Sequence, residues 1–184
     1  MADFTTSTAL LEGLAVLAAT NPPRVWSALP HPPERVRAAV VGGSVTLAAT
    51  IVLAALASGL LDVLDISAST FRLGAGIVIA IVGAYQLLAR APKPEPALDG
   101  WKAGLVPLAF PLLINPALGA AVLAAAADHG VATPIVATLV GAAILVALSM
   151  TTEHARVLRG SGRVVAAALV IVGIALAVDG VFSL

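Results

Sequence analysis

Apolar residues in this chain run in long blocks and do not alternate at a strand or amphipathic-helix period. Ala, Val, Leu, Ile and Gly fill stretches that short polar turns separate. A block of about 20 apolar residues is long enough to cross about 30 Å of hydrocarbon as a helix. Six such stretches are predicted, at roughly 7–29, 38–61, 70–89, 103–127, 132–152 and 163–182. The first is the weakest, because Arg24 and a proline-rich tail interrupt it. Two connections stand out. "HPPERVR" (31–37) is a basic turn, and "RAPKPEPALDGWK" (90–102) is a Pro-rich polar linker that divides the chain nearly in half.

Composition supports a bilayer as the solvent. Hydrophobic residues make up 60% and charged residues 11%, against about 45–50% and about 25% in soluble domains. Mean hydropathy is +1.05. A soluble fold of this length has too much surface to hide that apolar content. Net charge is zero, which removes the electrostatic case for nucleic acid. Cysteine is absent, which excludes disulfides, thiolate metal sites and thiol redox chemistry. Asp3 and Glu12 stand where a signal peptide needs a basic region, so the first 20 residues are read as the first span.

The charges also predict orientation. Arg24, Arg35 and Arg37 follow span 1; Arg90, Lys93 and Lys102 follow span 3; Arg156, Arg159 and Arg163 follow span 5. Only Arg72 falls on the other side. The bias puts those three loops in the cytoplasm and both termini outside. Three spans per half then force the halves to run in opposite directions. The expected fold is an all-α membrane protein of six transmembrane helices, built as two inverted three-helix repeats with spans 1 and 4 broken at Asn-Pro. Residues 1–89 form the first repeat, 90–102 a cytoplasmic linker and 103–184 the second repeat. "GAGIVIAIVGAYQLL" (74–88) and "AAALVIVGIALAVDG" (166–180) are the faint echo of each other that such a repeat requires. Inverted repeats are common in secondary transporters, whose sites lie between the halves.

The candidate chemistry sits at the breaks. "LAATNPPRVW" carries Asn21 and Pro22, and "FPLLINPALGAAVL" carries Asn115 and Pro116. Proline removes a backbone donor and frees carbonyls in its helix, and in lipid these need protein, water or solute partners. Asparagine brings both a donor and an acceptor to that place. Asn21, Pro22, Asn115 and Pro116 are therefore candidate substrate-binding residues around one shared polar pocket, each asparagine opening a half-helix. Against this stands the plain role of asparagine as interhelical glue.

Glu12, Asp179 and Arg72 are candidates for coupling or for lining an outer vestibule. An intramembrane carboxylate such as Glu12 costs roughly 2.5–3.5 kcal/mol on insertion scales. It is read either as a proton-coupling or cation-binding group, or as an interfacial partner of Arg72. Arg72 is expected to pair with Asp65, Glu12 or Asp179. Thr46, Thr50 and Ser149 are expected to bond back to their own helices. Tyr85 and Gln86 end span 3, where a Tyr is usually an interface anchor. Gly76, Ala80 and Ala84 form a small-residue packing face.

"LAATNPPRVWSALPHPPERVRAAVVGG" (15–43), "FRLGAGIVIAIVGAYQLL" (71–88) and "VPLAFPLLINPALGAAVLAAA" (106–126) resemble, in that order, the first, third and fourth spans of the MarC family of bacterial integral membrane proteins. The likeness covers about half the chain. Span 4 departs from it, reading "NPALGA" where the family favours "GPGA". MarC proteins are grouped with the LysE exporter superfamily. The resemblance thus implies six helices, a multi-pass place in the bacterial cytoplasmic (inner) membrane and export of a small solute.

His31, His129 and His154 are scattered and lack metal-ligand spacing, so no metal is expected. No phosphate loop or hydrolase constellation is present. The chain is expected to be no enzyme and to need no cofactor. Its expected partners are the lipid bilayer and a small polar solute, with a homo-oligomer left open and no nucleic acid. The leading functional expectation is a small secondary transporter, an exporter of an amino-acid-like solute, organic anion or ion, with its site between the repeats. The alternative is a non-transporting membrane scaffold or accessory subunit.

Overall fold

A computed structural model describes residues 2–29, 34–89, 100–151 and 155–184, and every element among them is helical. His31, His154, Arg90, Lys93 and most of the 90–102 linker lie outside the described residues. Helix α1 (Ala2–Thr20) ends at Asn21, and the short α2 (Pro22–Trp26) follows at once. Then come α3 (Glu34–Leu64) and α4 (Ala68–Leu88). An irregular segment, Gly100–Gly104 and Leu105–Leu113, leads into α5 (Pro116–His129). Helices α6 (Ala132–Ser149) and α7 (Ala155–Phe182) complete the chain.

The breaks follow from proline chemistry. A residue before proline is pushed out of the helical region by the ring. Val106 and Phe110 precede Pro107 and Pro111, and both are extended, at φ/ψ −132/124 and −126/126. The segment therefore cannot become a regular helix. It meets α5 at a bend of 69°. Between α3 and α4 the chain turns at Asp65, whose φ of 53 is left-handed. Ile66 N–H reaches back to Leu61 O at 3.1 Å, and the Ser67 side chain caps α4 by accepting from Thr70 N–H at 3.2 Å.

Helices α3, α4, α6 and Gly160–Phe182 of α7 are each long and apolar enough to cross a membrane, and the bent pair ending in α5 makes a fifth span. Helix α1 is outside that group, because Asp3, Glu12 and its Thr/Ser-rich start dilute its apolar content. The outside of the bundle is apolar: Ile51, Val52, Leu56, Ile81 and Ile171 stand exposed. Hydrocarbon is the solvent that such a surface fits.

Inside, small residues bring backbones together. Helix α4 packs along α7, α3 on α6, and α1 on both α5 and α6, while α5 also packs on α3 and α4. A Cβ at Gly173 would lie 2.5 Å from Ala80 N, and one at Gly76 would collide with Ala177 N. The face containing Gly76 and Ala80 is thus the α4–α7 seam. Thr46 bonds back to Gly42 O and Ser149 to Val146 O, as expected. Thr50 does not: its hydroxyl pairs with that of Thr138 across α3 and α6 at 3.2 Å. A facing hydroxyl outcompetes the local carbonyl there.

Gly173→Leu should separate α4 from α7 and lower stability by about 1–3 kcal/mol or more, as overpacking does. Gly74, with nothing within 4 Å of a built Cβ, is the control. Gly74→Ala should be neutral or stabilising by up to about 1 kcal/mol. Thermal unfolding in detergent compares the two.

Candidate functional site

The two Asn-Pro breaks are repaired largely by one side chain. Pro22 and Pro23 cannot donate to the carbonyls four residues earlier, Ala18 O and Ala19 O. Ala18 O is taken by Asn21 N–H at 3.1 Å. Ala19 O is taken from another helix, by Asn115 Nδ2 at 2.9 Å. Pro116 likewise orphans Leu112 O, and Asn115 Nδ2 donates to it at 3.1 Å and to Leu113 O at 3.3 Å. Meanwhile Asn115 Oδ1 caps α5 by accepting from Leu118 N–H at 3.1 Å.

Asn21 does a related task at the other break. Its backbone is left-handed, at φ 37 and ψ 62, a conformation that asparagine tolerates better than most residues. Its Oδ1 accepts from Arg24 N–H at 3.3 Å. Its Nδ2 donates to Gln86 Oε1 at 2.9 Å and to Gly162 O at 3.1 Å, tying the break to α4 and α7. Trp26 locks the far end of α2: its Nε1 donates to Leu148 O at 2.9 Å, and the Arg35 guanidinium lies 4.9 Å above its ring.

Beside these breaks is a cavity of about 500 Å³ lined by Asn21, Arg24, Val82, Gln86, Leu112 and Asn115, among others. Pro116 and Tyr85 are also on its wall. Pro22 is not. The left-handed turn at Asn21 aims Pro22 and Pro23 into an apolar groove with Leu14, Ile144 and Val165. Of the four candidate binding residues, then, the structure brings three to one cavity and turns Pro22 away. The amides of both asparagines already have protein partners. Gln86 is the wall residue that sequence reasoning left as the end of a span. Its place one residue after Tyr85 gave no sign of a partner 65 residues earlier.

At the opposite end of the bundle Arg72 gathers three carboxylates. Its Nε lies 2.8 Å from Asp128 Oδ2, its Nη1 bonds Asp179 Oδ2, and Glu12 Oε1 is 3.6 Å from Nε. Glu12 is fully buried, with His129 Nε2 3.4 Å from its other oxygen. Among the described residues, neither Glu12 oxygen has a hydrogen bond of ordinary geometry. The expected Arg72 pairings with Glu12 and Asp179 are present. Asp65 is not among the partners, since it is occupied in turning the chain. Asp128 and His129 were missed, although an Asp-His pair ending span 4 faces the same end as Arg72. Arg72 and Gln86 are 14 positions apart on α4, so about 21 Å of helix separates cluster from cavity.

The model of the MarC family integral membrane proteins matches residues 12–184. The chain belongs to the MarC family. No curated protein and no solved structure matches it. The MarC match runs from Glu12 onward, so it includes both breaks, the cavity wall and the whole Arg72 cluster. It agrees with the apolar helices in making the chain an integral, multi-pass membrane protein.

Asn115→Ala removes a cap and orphans two carbonyls at once. The loss should be about 1–3 kcal/mol from the cap and the unsatisfied groups together, read by denaturant titration in detergent. A loss under about 0.5 kcal/mol would mean that Ala19 O and Leu112 O find other partners.

Proposed function

We propose that this MarC protein is a small secondary transporter that exports a polar solute across the bacterial inner membrane. The observation that carries the reading is the cavity with both Asn-Pro breaks on its wall. The close packing of α3 on α6 and of α4 on α7, with α1 lying against both α5 and α6, is compatible with two inverted three-helix repeats in which α1 and α2 together make the sixth span. The family's grouping with LysE-type exporters points the same way.

In this reading the cavity opens to the cytoplasm. Arg24, Arg35, Arg37, Lys102 and Arg163 lie toward its end of the bundle, as the positive-inside rule asks of a cytoplasmic face. The Arg72 cluster then closes the outer end. It joins α1, α4, α5 and α7 through charges held in a poorly solvated place, where breaking one pair leaves the others costly. Glu12 and Asp128 neighbour each other in this cluster, and a proton shared between them would turn repulsion into a hydrogen bond. Among the described residues, Arg72, His129 and Asp179 are the other charged or titratable groups facing them. Proton arrival from outside would thus be tied to the state of the closure.

One observation favours the second reading, a scaffold or accessory subunit: both asparagine amides are spent on protein groups.

The absence of cysteine makes labelling direct. Val82→Cys on the cavity wall should react with a membrane-impermeant maleimide from the cytoplasmic face and be shielded from outside. Adding Arg72→Gln should open a route from outside. Reaction from outside without that change would overturn the orientation, and no change on adding Arg72→Gln favours the scaffold.

Glu12→Gln tests the coupling. In vesicles with an entrapped pH dye and isovalerate or leucine as trial solute, proton movement linked to the solute should be lost while the protein stays folded. Coupling that survives the change returns Glu12 to a structural role.

A further inference from the structure

We infer that His129 is a proton relay between water at the Arg72 end of the bundle and the buried carboxyl of Glu12. The inference deepens the proposed proton coupling and rests on it for its use, but the relay itself stands on separate geometry.

A buried carboxyl that gains and loses a proton needs a group that touches both it and water. Glu12 is 0% exposed, and among the described residues neither of its oxygens is hydrogen-bonded. Buried polar atoms are nearly always paired, so two bare oxygens on one carboxyl call for a reason, and a visiting proton supplies one.

The neighbours of Glu12 differ in what they can deliver. On α4, Arg72 Nε is 3.6 Å from Oε1, but a guanidinium keeps its protons. On α7, Asp179 is bound at Arg72 Nη1, whereas Glu12 lies at Nε. On α5, Asp128 accepts from Nε at 2.8 Å and its side chain is only 8% exposed. His129, the last residue of α5, is placed otherwise. Its Nε2 is buried 3.4 Å from Glu12 Oε2 and, like it, makes no hydrogen bond. Its side chain is 19% exposed, and the edge that carries Nδ1 is the open one. Among the described groups around Glu12, His129 is the one that joins its carboxyl to the surface.

An imidazole holds a proton on one nitrogen and a lone pair on the other, so it can accept at one edge while it releases at the other. An approach of about half an ångström brings Nε2 and Oε2 to the distance of a charge-assisted hydrogen bond. Hydronium then gives a proton to Nδ1, the Nε2 proton passes to Oε2, and His129 ends neutral with its hydrogen on Nδ1. Loss from Glu12 retraces the steps: Oε2 returns its proton to Nε2, and the Nδ1 proton leaves to water. Each passage moves one proton and leaves the imidazole uncharged.

Infrared difference spectroscopy on the full chain in proteoliposomes tests this. The C=O stretch of protonated Glu12, assigned by its loss in Glu12→Gln, is followed on transfer from H2O to D2O. His129→Gln keeps a polar side chain that cannot accept and release together. It should slow exchange at this carboxyl by about 100-fold while the thermal transition stays in place. His129→Ala should be as slow, and free imidazole should restore the rate. A second route leaves His129 itself in the chain. With His31→Gln and His154→Gln, His129 is the remaining histidine; its acylation by diethyl pyrocarbonate should slow exchange, and hydroxylamine should reverse the effect. Unchanged exchange after acylation or in His129→Gln would overturn the relay. So would the lack of any C=O band assignable to Glu12 between about pH 5 and pH 8. Slowed exchange in a chain that shows no solute-linked proton movement keeps the relay and removes the coupling. Solute-linked proton movement with unchanged exchange in His129→Gln does the reverse.

Discussion

A helix broken inside a bilayer exposes carbonyls that lipid cannot satisfy, and this chain breaks two. The Asn115 amide answers both breaks by donating to Ala19 O, orphaned by Pro23, and to Leu112 O, orphaned by Pro116. The consequences spread outward from that contact. It fixes α1 against the start of α5, which places the end of α1 so that Asn21 can reach Gln86 and Gly162. Asn21 in turn positions α2 and Arg24. The cavity is the space left when two breaks are held side by side and their prolines prevent either helix from filling it.

Much of this was legible before any coordinates. Spans appear as long apolar blocks because lipid leaves a helix little alternative, so α3, α4, α6 and α7 coincide with predicted stretches to within a few residues at most ends. The breaks at Asn21 and Asn115 were equally plain, since Asn-Pro in an apolar run has few regular solutions. What the sequence could not carry was partnership. That the Asn115 amide serves Ala19, that Thr50 faces Thr138 and that Gln86 receives Asn21 all depend on which helix faces are brought together. Arg72 was readable as needing acids, because a lone arginine among carboxylates expected at the same end of the bundle has few other uses. Asp128 was not singled out, since a carboxylate at a span end also has a solvated explanation.

The two ends of the bundle differ in sign. One brings Arg24 and the N-terminus of α5 to a cavity with no carboxylate among its described wall residues; the other sets three carboxylates around one guanidinium. On the proposed orientation this asymmetry has an energetic meaning. A membrane potential that is negative inside drives a monoanion outward by about 2.3 kcal/mol per 100 mV. The sign of the solute's charge therefore decides whether export by the proposed transporter would run with the potential or against it.

Within such a cycle the repairs also limit what can move. Separating α1 from α5 would orphan Ala19 O again, and separating α4 from α7 would undo a seam whose backbones touch at Gly76 and Gly173. Those contacts favour motion as rigid groups. The segment Leu105–Leu113 is different: Val106 and Phe110 are already extended, and it meets α5 at a 69° bend. It also supplies Pro111 and Leu112 to the cavity wall. A shift there changes the shape of the cavity without breaking either seam, provided the Asn115 bond to Leu112 O is kept or replaced by solute. The same prolines that create the cavity thus leave beside it the stretch of backbone least committed to a regular helix.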